Sequence, residues 1–140
     1  MHAVLSVVLV EDGRLVWRER TMVMEQHPGF FRKGATMKYF GTDGFRGEAN
    51  VGLTVDHAFK IGKFVGWYYG LRQGRKAKAV IGKDTRRSSY MYENALVAGL
   101  VSSGADAYVL RVTTTPSVSY VVRHGDFDCG IMITASHNPY

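Results

Sequence analysis

From Met37 onward, apolar and polar positions fall into regular blocks. Thr54 stands where an N-cap belongs, ahead of Val55, Phe59, Gly62, Val65 and Tyr69 near helical spacing, with Asp56, Lys60 and Lys63 on the opposite face. This predicts a helix that Gly70 ends. Ala77 to Ile81 is a short apolar run entering Gly82-Lys83-Asp84, the pattern of a buried strand entering a loop. Ser88 or Ser89 starts a second helix through Ser103, apolar on most sides and stopped by Gly104. Ala107 to Leu110 reads as a second strand. Thr115-Pro116 supplies an N-cap and a first-turn proline for a third helix to Arg123, and Cys129 to Thr134 is a third strand.

The first 36 residues are different material. Ala3 to Val10 is rich in β-formers, Asp12-Gly13 is a turn signal, and Leu15-Val16-Trp17 resumes an extended pattern, which suggests a hairpin. Glu25 to Thr36 carries His27-Pro28-Gly29 and Lys33-Gly34 without sustained periodicity and reads as a linker. The expected organisation is therefore an N-terminal extension over 1–36 and a domain over 37–140. Strands alternating with helices across short connections pair in parallel through right-handed crossovers, so the fold class is α/β, a layered α/β/α domain with a mostly parallel sheet. Ligands of such sheets collect at the carboxyl ends of the strands, here Gly82 to Arg86, Val112 to Thr115 and Thr134 to Tyr140.

Composition narrows the function classes. With 46% hydrophobic and 21% charged residues the chain can bury a core, and a net charge of +6 suits anionic ligands, phosphorylated metabolites and nucleic acid alike. The densest basic run, Arg72 to Lys78, is diluted by glycine and alanine as a solvated turn would be. One cysteine, Cys129, excludes an internal disulfide and a thiolate zinc cluster, and its apolar surroundings point to a buried structural thiol. No run approaches the roughly 18 apolar residues of a membrane span. Ala3 to Val10 lacks a basic leader and a cleavage site, so a cytoplasmic location is expected without membrane contact. His2, His27, His57 and His124 lack the spacing of a metal site and read as structural or exposed. Asp126 and Asp128 form a close acid pair without a third carboxylate.

The loop Thr134-Ala135-Ser136-His137-Asn138-Pro139 packs a hydroxyl, an imidazole and an amide directly after a buried strand. Those residues suit a nucleophile loop and equally suit a capped turn, since Ser, Asn and Pro are ordinary turn residues. The Gly-x-Ser-x-Gly elbow of hydrolases is absent.

This loop resembles the phosphoserine loop of the α-D-phosphohexomutases. Lys38 to Gly47, containing Gly41-Thr42-Asp43-Gly44-Phe45-Arg46-Gly47, resembles that family's opening motif; Gly82-Lys83-Asp84-Thr85-Arg86 with Ser88 resembles its second, and Thr114-Thr115-Pro116 its third. Four motifs in order cover Met37 to Tyr140, and their wording leans toward the branch acting on glucosamine phosphates rather than mannose or glucose phosphates. The resemblance implies the first domain of an isomerase in which phosphorylated Ser136 donates its phosphoryl group to a hexosamine monophosphate and takes one back from the bisphosphate. It implies Ser136, His137 and Arg46 as catalytic residues and Thr42, Asp43 and Asn138 as residues shaping the site. It also implies Mg²⁺ as a hard cation with the phosphoserine among its oxygen ligands. Asp84 and Arg86 read as an ion pair at a strand end, not as substrate ligands.

Family members begin close to the position of Met37 and continue past the serine loop with a basic catalytic residue, an Asp-rich metal loop, a sugar-recognition loop and a phosphate-binding domain. The 140 residues alone are accordingly expected to be inactive. With helices of the later chain missing, Ile131 and Ile133 are expected to be partly bare, favouring self-association. A different-class reading is a non-catalytic module on this fold that binds anions or, less favoured, nucleic acid.

Overall fold

Two strands carry apolar residues on both faces, and the domain is built around them. In the computed structural model, which describes residues 2–8, 10–11, 14–15, 40–41 and 44–135, these are β6 (Lys78–Lys83) and β8 (Cys129–Thr134). The other strands are β1 (His2–Val8), β2 (Val10–Glu11), β3 (Arg14–Leu15), β4 (Phe40–Gly41), β5 (Gly44–Glu48) and β7 (Asp106–Val112). Three helices, α1 (Val55–Gln73), α2 (Arg87–Ser102) and α3 (Thr115–His124), complete the described elements. The main sheet runs β4-β5-β1-β8-β6-β7. Its β8-β6-β7 block is parallel, with Ile81 opposite both Ile131 and Val109, while β4, β5 and β1 join antiparallel.

Alternation along β6 and β8 produces the three layers. Ala79, Ile81, Cys129, Ile131 and Ile133 point to one face and pack with Ala58, Val65 and Tyr69 of α1 and Tyr92, Leu96 and Leu100 of α2. Val80 and Met132 point to the other and meet Val118 and Val122 of α3. Because a strand has a side-chain period of two, apolar residues at every position mean cover on both faces. Ile131 and Ile133 are buried, at 0% and 1% exposure, which corrects the expectation that they are partly bare. The α1–α2 layer that covers them is made within the first 103 residues of the chain.

The helices sit where the sequence predicts them, with corrections at their ends and faces. Thr54 caps α1 in a reciprocal box: its Oγ1 accepts from the His57 backbone N–H, and His57 Nδ1 accepts from the Thr54 N–H. His57 is thus a capping residue. The helix passes Gly70 and ends at Gly74, whose φ of 60° lies in the left-handed region, because a glycine stops a helix only where the chain must turn. For α3 the cap is Thr114, one residue earlier than expected, with its Oγ1 accepting from Ser117 N. Val55 and Phe59, expected in the apolar stripe of α1, are instead exposed at 41% and 37%. The buried stripe is Ala58, Gly62, Val65, Gly66 and Tyr69, since α1 and α2 approach so closely that small residues must line the contact.

The N-terminal segment joins the domain. Two residues of β2 pair with β3 across Asp12-Gly13, as a hairpin there requires, but the longer stretch β1 lies between β5 and β8.

Candidate active site

The carboxyl ends of the parallel strands draw three loops together. Beyond the strand ends the backbone ladder continues: Asp84 N donates to Ile133 O at 2.9 Å and Thr113 N to Lys83 O at 2.9 Å. The loops opening with Asp84, Thr113 and Ala135 therefore leave the sheet side by side. Ser136, His137 and Asn138 follow immediately and lie outside the described residues, as do Thr42 and Asp43.

Arg46 is described, on β5, with Phe45 beside it buried in the α1–α2 face. Val4 of β1 is the register partner of both Arg46 and Thr134. Arg46 thus stands level with the last residue of β8, two strand spacings away, roughly 9.5 Å between backbones. It shares the sheet face of Thr134, opposite Phe45. The sheet places the strand bearing this cation at the height where the Ser136 loop begins.

Asp84 is the organising carboxylate at the end of β6. Its Oδ1 accepts from Arg86 N at 3.1 Å and from the Ser89 hydroxyl; its Oδ2 accepts from Ala135 N at 3.2 Å and faces Arg86 Nε at 3.7 Å. The sequence reading of Asp84 and Arg86 as an ion pair found only the outermost of these contacts. A carboxylate two residues before the N-cap Arg86 is a capping signal, but its bond to Ala135 links positions 51 residues apart and had no local signal.

Beside it, Lys83 is wholly buried on the α1–α2 face, with its Nζ 3.2 Å from the centre of the Tyr90 ring. No hydrogen-bond acceptor for it occurs among the described residues. A buried ammonium whose partner among the described residues is a ring face loses more hydration than the cation–π contact, about 2 kcal/mol, returns. Lys83→Met is therefore expected to raise stability by about 1 kcal/mol in urea denaturation; a loss of similar size would mean that the ammonium has a stronger partner.

The other candidate groups are structural. Cys129 is fully buried, and burial pushes its thiol well above the ordinary range, so it stays protonated and inert. Cations of the Arg72 to Lys78 run face acids distant in sequence: Arg75 grips Asp128, Lys76 meets Asp106 at 2.6 Å, and Lys78 meets Asp126. The hydrogen bond and charge of Lys78 hold the exposed Asp126 carboxyl below its usual range, and Asp126 raises the Lys78 ammonium in return. These pairs, with a shallow hollow beside Ala105 and Tyr108, lie at the amino ends of the strands, away from the converging loops. Among the described residues no group of three His, Cys, Asp or Glu side chains is arranged to hold a metal ion, and both oxygens of Asp84 are already engaged.

Residues 37–140 match the model of the phosphoglucomutase/phosphomannomutase alpha/beta/alpha domain I. The chain belongs to that family. It is similar to the phosphoglucosamine mutase of Lachnospira eligens, 77% identical over 104 residues, which are 74% of this chain and 23% of that protein. The phosphoglucosamine mutase of Lachnoclostridium phytofermentans is 73% identical over 103 residues, 74% of this chain and 22% of that protein. That of Streptococcus thermophilus is 54% identical over 102 residues, 73% of this chain and 23% of that protein. Among solved structures, a phosphoglucomutase/phosphomannomutase family protein from Burkholderia thailandensis superposes with a TM-score of 0.59 at 31% identity, over 68% of this chain and 22% of that one. The chain thus spans under a quarter of the length of these relatives. Its α/β architecture is that of the family's first domain, and no helix among the described residues is long and apolar enough to cross a membrane.

Proposed function

We propose that this chain is the serine-bearing first domain of a phosphoglucosamine mutase, an isomerase interconverting glucosamine 6-phosphate and glucosamine 1-phosphate in the cytoplasm. The observation that carries the reading is the convergence of the three motif loops at the carboxyl ends of β6, β7 and β8, with Ser136 two residues past the end of β8. The high identity to phosphoglucosamine mutases supports the hexosamine phosphate as substrate over its mannose and glucose siblings.

In this reading the Ser136 hydroxyl carries the phosphoryl group. Phosphoserine passes it to the free hydroxyl of the sugar monophosphate, forming an O–P bond to the sugar as the serine O–P bond breaks. The bisphosphate then returns its other phosphoryl to Ser136, which regenerates the phosphoserine. Such transfer needs in-line positioning and charge neutralisation. A guanidinium at Arg46 suits a planar, bidentate grip on phosphoryl oxygens. His137 would orient the reacting oxygens, while Thr42, Asp43 and Asn138 shape the loops through side-chain bonds to backbone amides. Mg²⁺, when bound, would neutralise phosphoryl charge, with Ser136 its ligand from this chain. The division into an extension over 1–36 and a domain over 37–140 follows the matched range, with β1 lending a strand to the domain's sheet.

The test is mass spectrometry of the protein purified from its native source and after incubation with glucosamine 1,6-bisphosphate. Phosphate on Ser136, absent from Ser136→Ala, is expected. An unmodified Ser136 under both conditions would overturn the reading.

A further inference from the structure

We propose that Asp84 is a positioning residue for the Ser136 loop: its carboxylate clamps the backbone of Ala135, the residue before the serine, to the start of α2. The catalytic meaning of this clamp rests on the reading of Ser136 as the phosphoryl carrier. The clamp itself rests on geometry alone.

Four groups converge on one carboxylate. Ser89 Oγ and Arg86 N bind Oδ1, both from the entry to α2, and Ala135 N binds Oδ2. Arg86 Nε lies 3.7 Å from Oδ2 and adds charge to that side. The backbone of Asp84 is itself held to β8, its N–H donating to Ile133 O at 2.9 Å. Asp84 therefore holds the chain on both sides of Thr134, the last residue of β8, and carries that hold into a helix that is packed against α1 and has no side-chain cap of its own. Ala135 is the last described residue before the serine, and its side is buried at 2% exposure, so its peptide has little room to adjust. A carboxylate accepts at both oxygens, whereas an asparagine at the same place presents an NH₂ to one side and cannot accept there. Phosphoryl transfer is sensitive to displacements of about 1 Å, so a group that ties the residue before the nucleophile to a rigid helix acts on the reaction without touching it.

Amide hydrogen exchange, followed by NMR on the intact 140-residue chain and on Asp84→Asn and Asp84→Ala, tests the clamp. Exchange at Ala135 is expected to rise about tenfold or more in both variants relative to Ile131 and Ile133, whose amides belong to the β8 ladder. Should Asp84→Ala fail to fold, the isosteric Asp84→Asn decides. Ala135 exchange unchanged in the folded variants, or as fast in the parent chain as in an open peptide, would overturn the proposal. Phosphate on Ser136 is read separately: its absence with a protected, Asp84-dependent Ala135 amide would sink the carrier reading and leave the clamp standing.

Discussion

Gly99→Val is expected to abolish stable folding of the domain, or to lower its stability by more than about 3 kcal/mol, measured by urea denaturation. A Cβ at this position would overlap the Phe59 carbonyl oxygen and lie 2.8 Å from the Lys63 backbone nitrogen. Both obstacles are backbone atoms of α1, which cannot swing aside as a side-chain tip could. The reciprocal contact makes the same demand, since a Cβ at Gly62 would stand 2.5 Å from the Leu96 carbonyl oxygen. The two helices can separate to accept valine only by pulling Leu96 and Leu100 from Ile81, Ile131 and Ile133, which opens the main core. Gly74→Ala makes a useful contrast. Nothing lies within 4 Å of its added Cβ, and only the left-handed φ of 60° opposes it, at a cost of about 1 kcal/mol. Equal losses at the two glycines would refute backbone crowding as the cause.

Asp128→Ala is expected to cost about 2 to 3 kcal/mol in the same measurement. The Asp128 side chain is 3% exposed and accepts from both terminal nitrogens of Arg75, at 3.0 and 2.8 Å, and from the Lys78 backbone N–H at 2.8 Å. It joins the α1–β6 turn to the approach to β8, with its own N–H donating to Lys78 O. Truncation leaves the Lys78 amide without its acceptor where β6 begins. Arg75→Ala should cost less, about 1 kcal/mol, because the arginine is 45% exposed and solvent screens its charge. A larger loss for Arg75→Ala than for Asp128→Ala would show that the ion pair, not the backbone cap, carries the stabilisation.

The elements of this domain were legible because their signals are local. Thr54 caps α1, Gly104 with its φ of 87° follows the end of α2, and Cys129 to Ile133 is an unbroken apolar run, as a doubly covered strand is. The serine loop drew attention for the same reason, through consecutive polar residues after such a strand. What misled was equally local. Gly70 looks like a helix stop but lies inside α1, and Phe59 falls on the expected stripe but meets Gly99 of α2 through its backbone carbonyl while its side chain is exposed. The Arg72 to Lys78 run reads as a solvated turn and residues 72–76 are exposed, but its ion-pair partners Asp106, Asp126 and Asp128 come some 30 to 50 residues later and left no local sign.

Residue type and spacing were enough for the alternation of strands and helices, the parallel pairing that sends three loops to one end of the sheet, and the motifs by which the family can be recognised. Each depends on residue type and short spacing, which a linear chain carries whole. Long-range packing placed β1 between β5 and β8, covered Ile131 and Ile133, and let Asp84 hold the residue before Ser136. Those are contacts between segments far apart in the chain. Which donor meets which acceptor across them is set by strand register and helix packing, and neither leaves a periodic trace in the sequence.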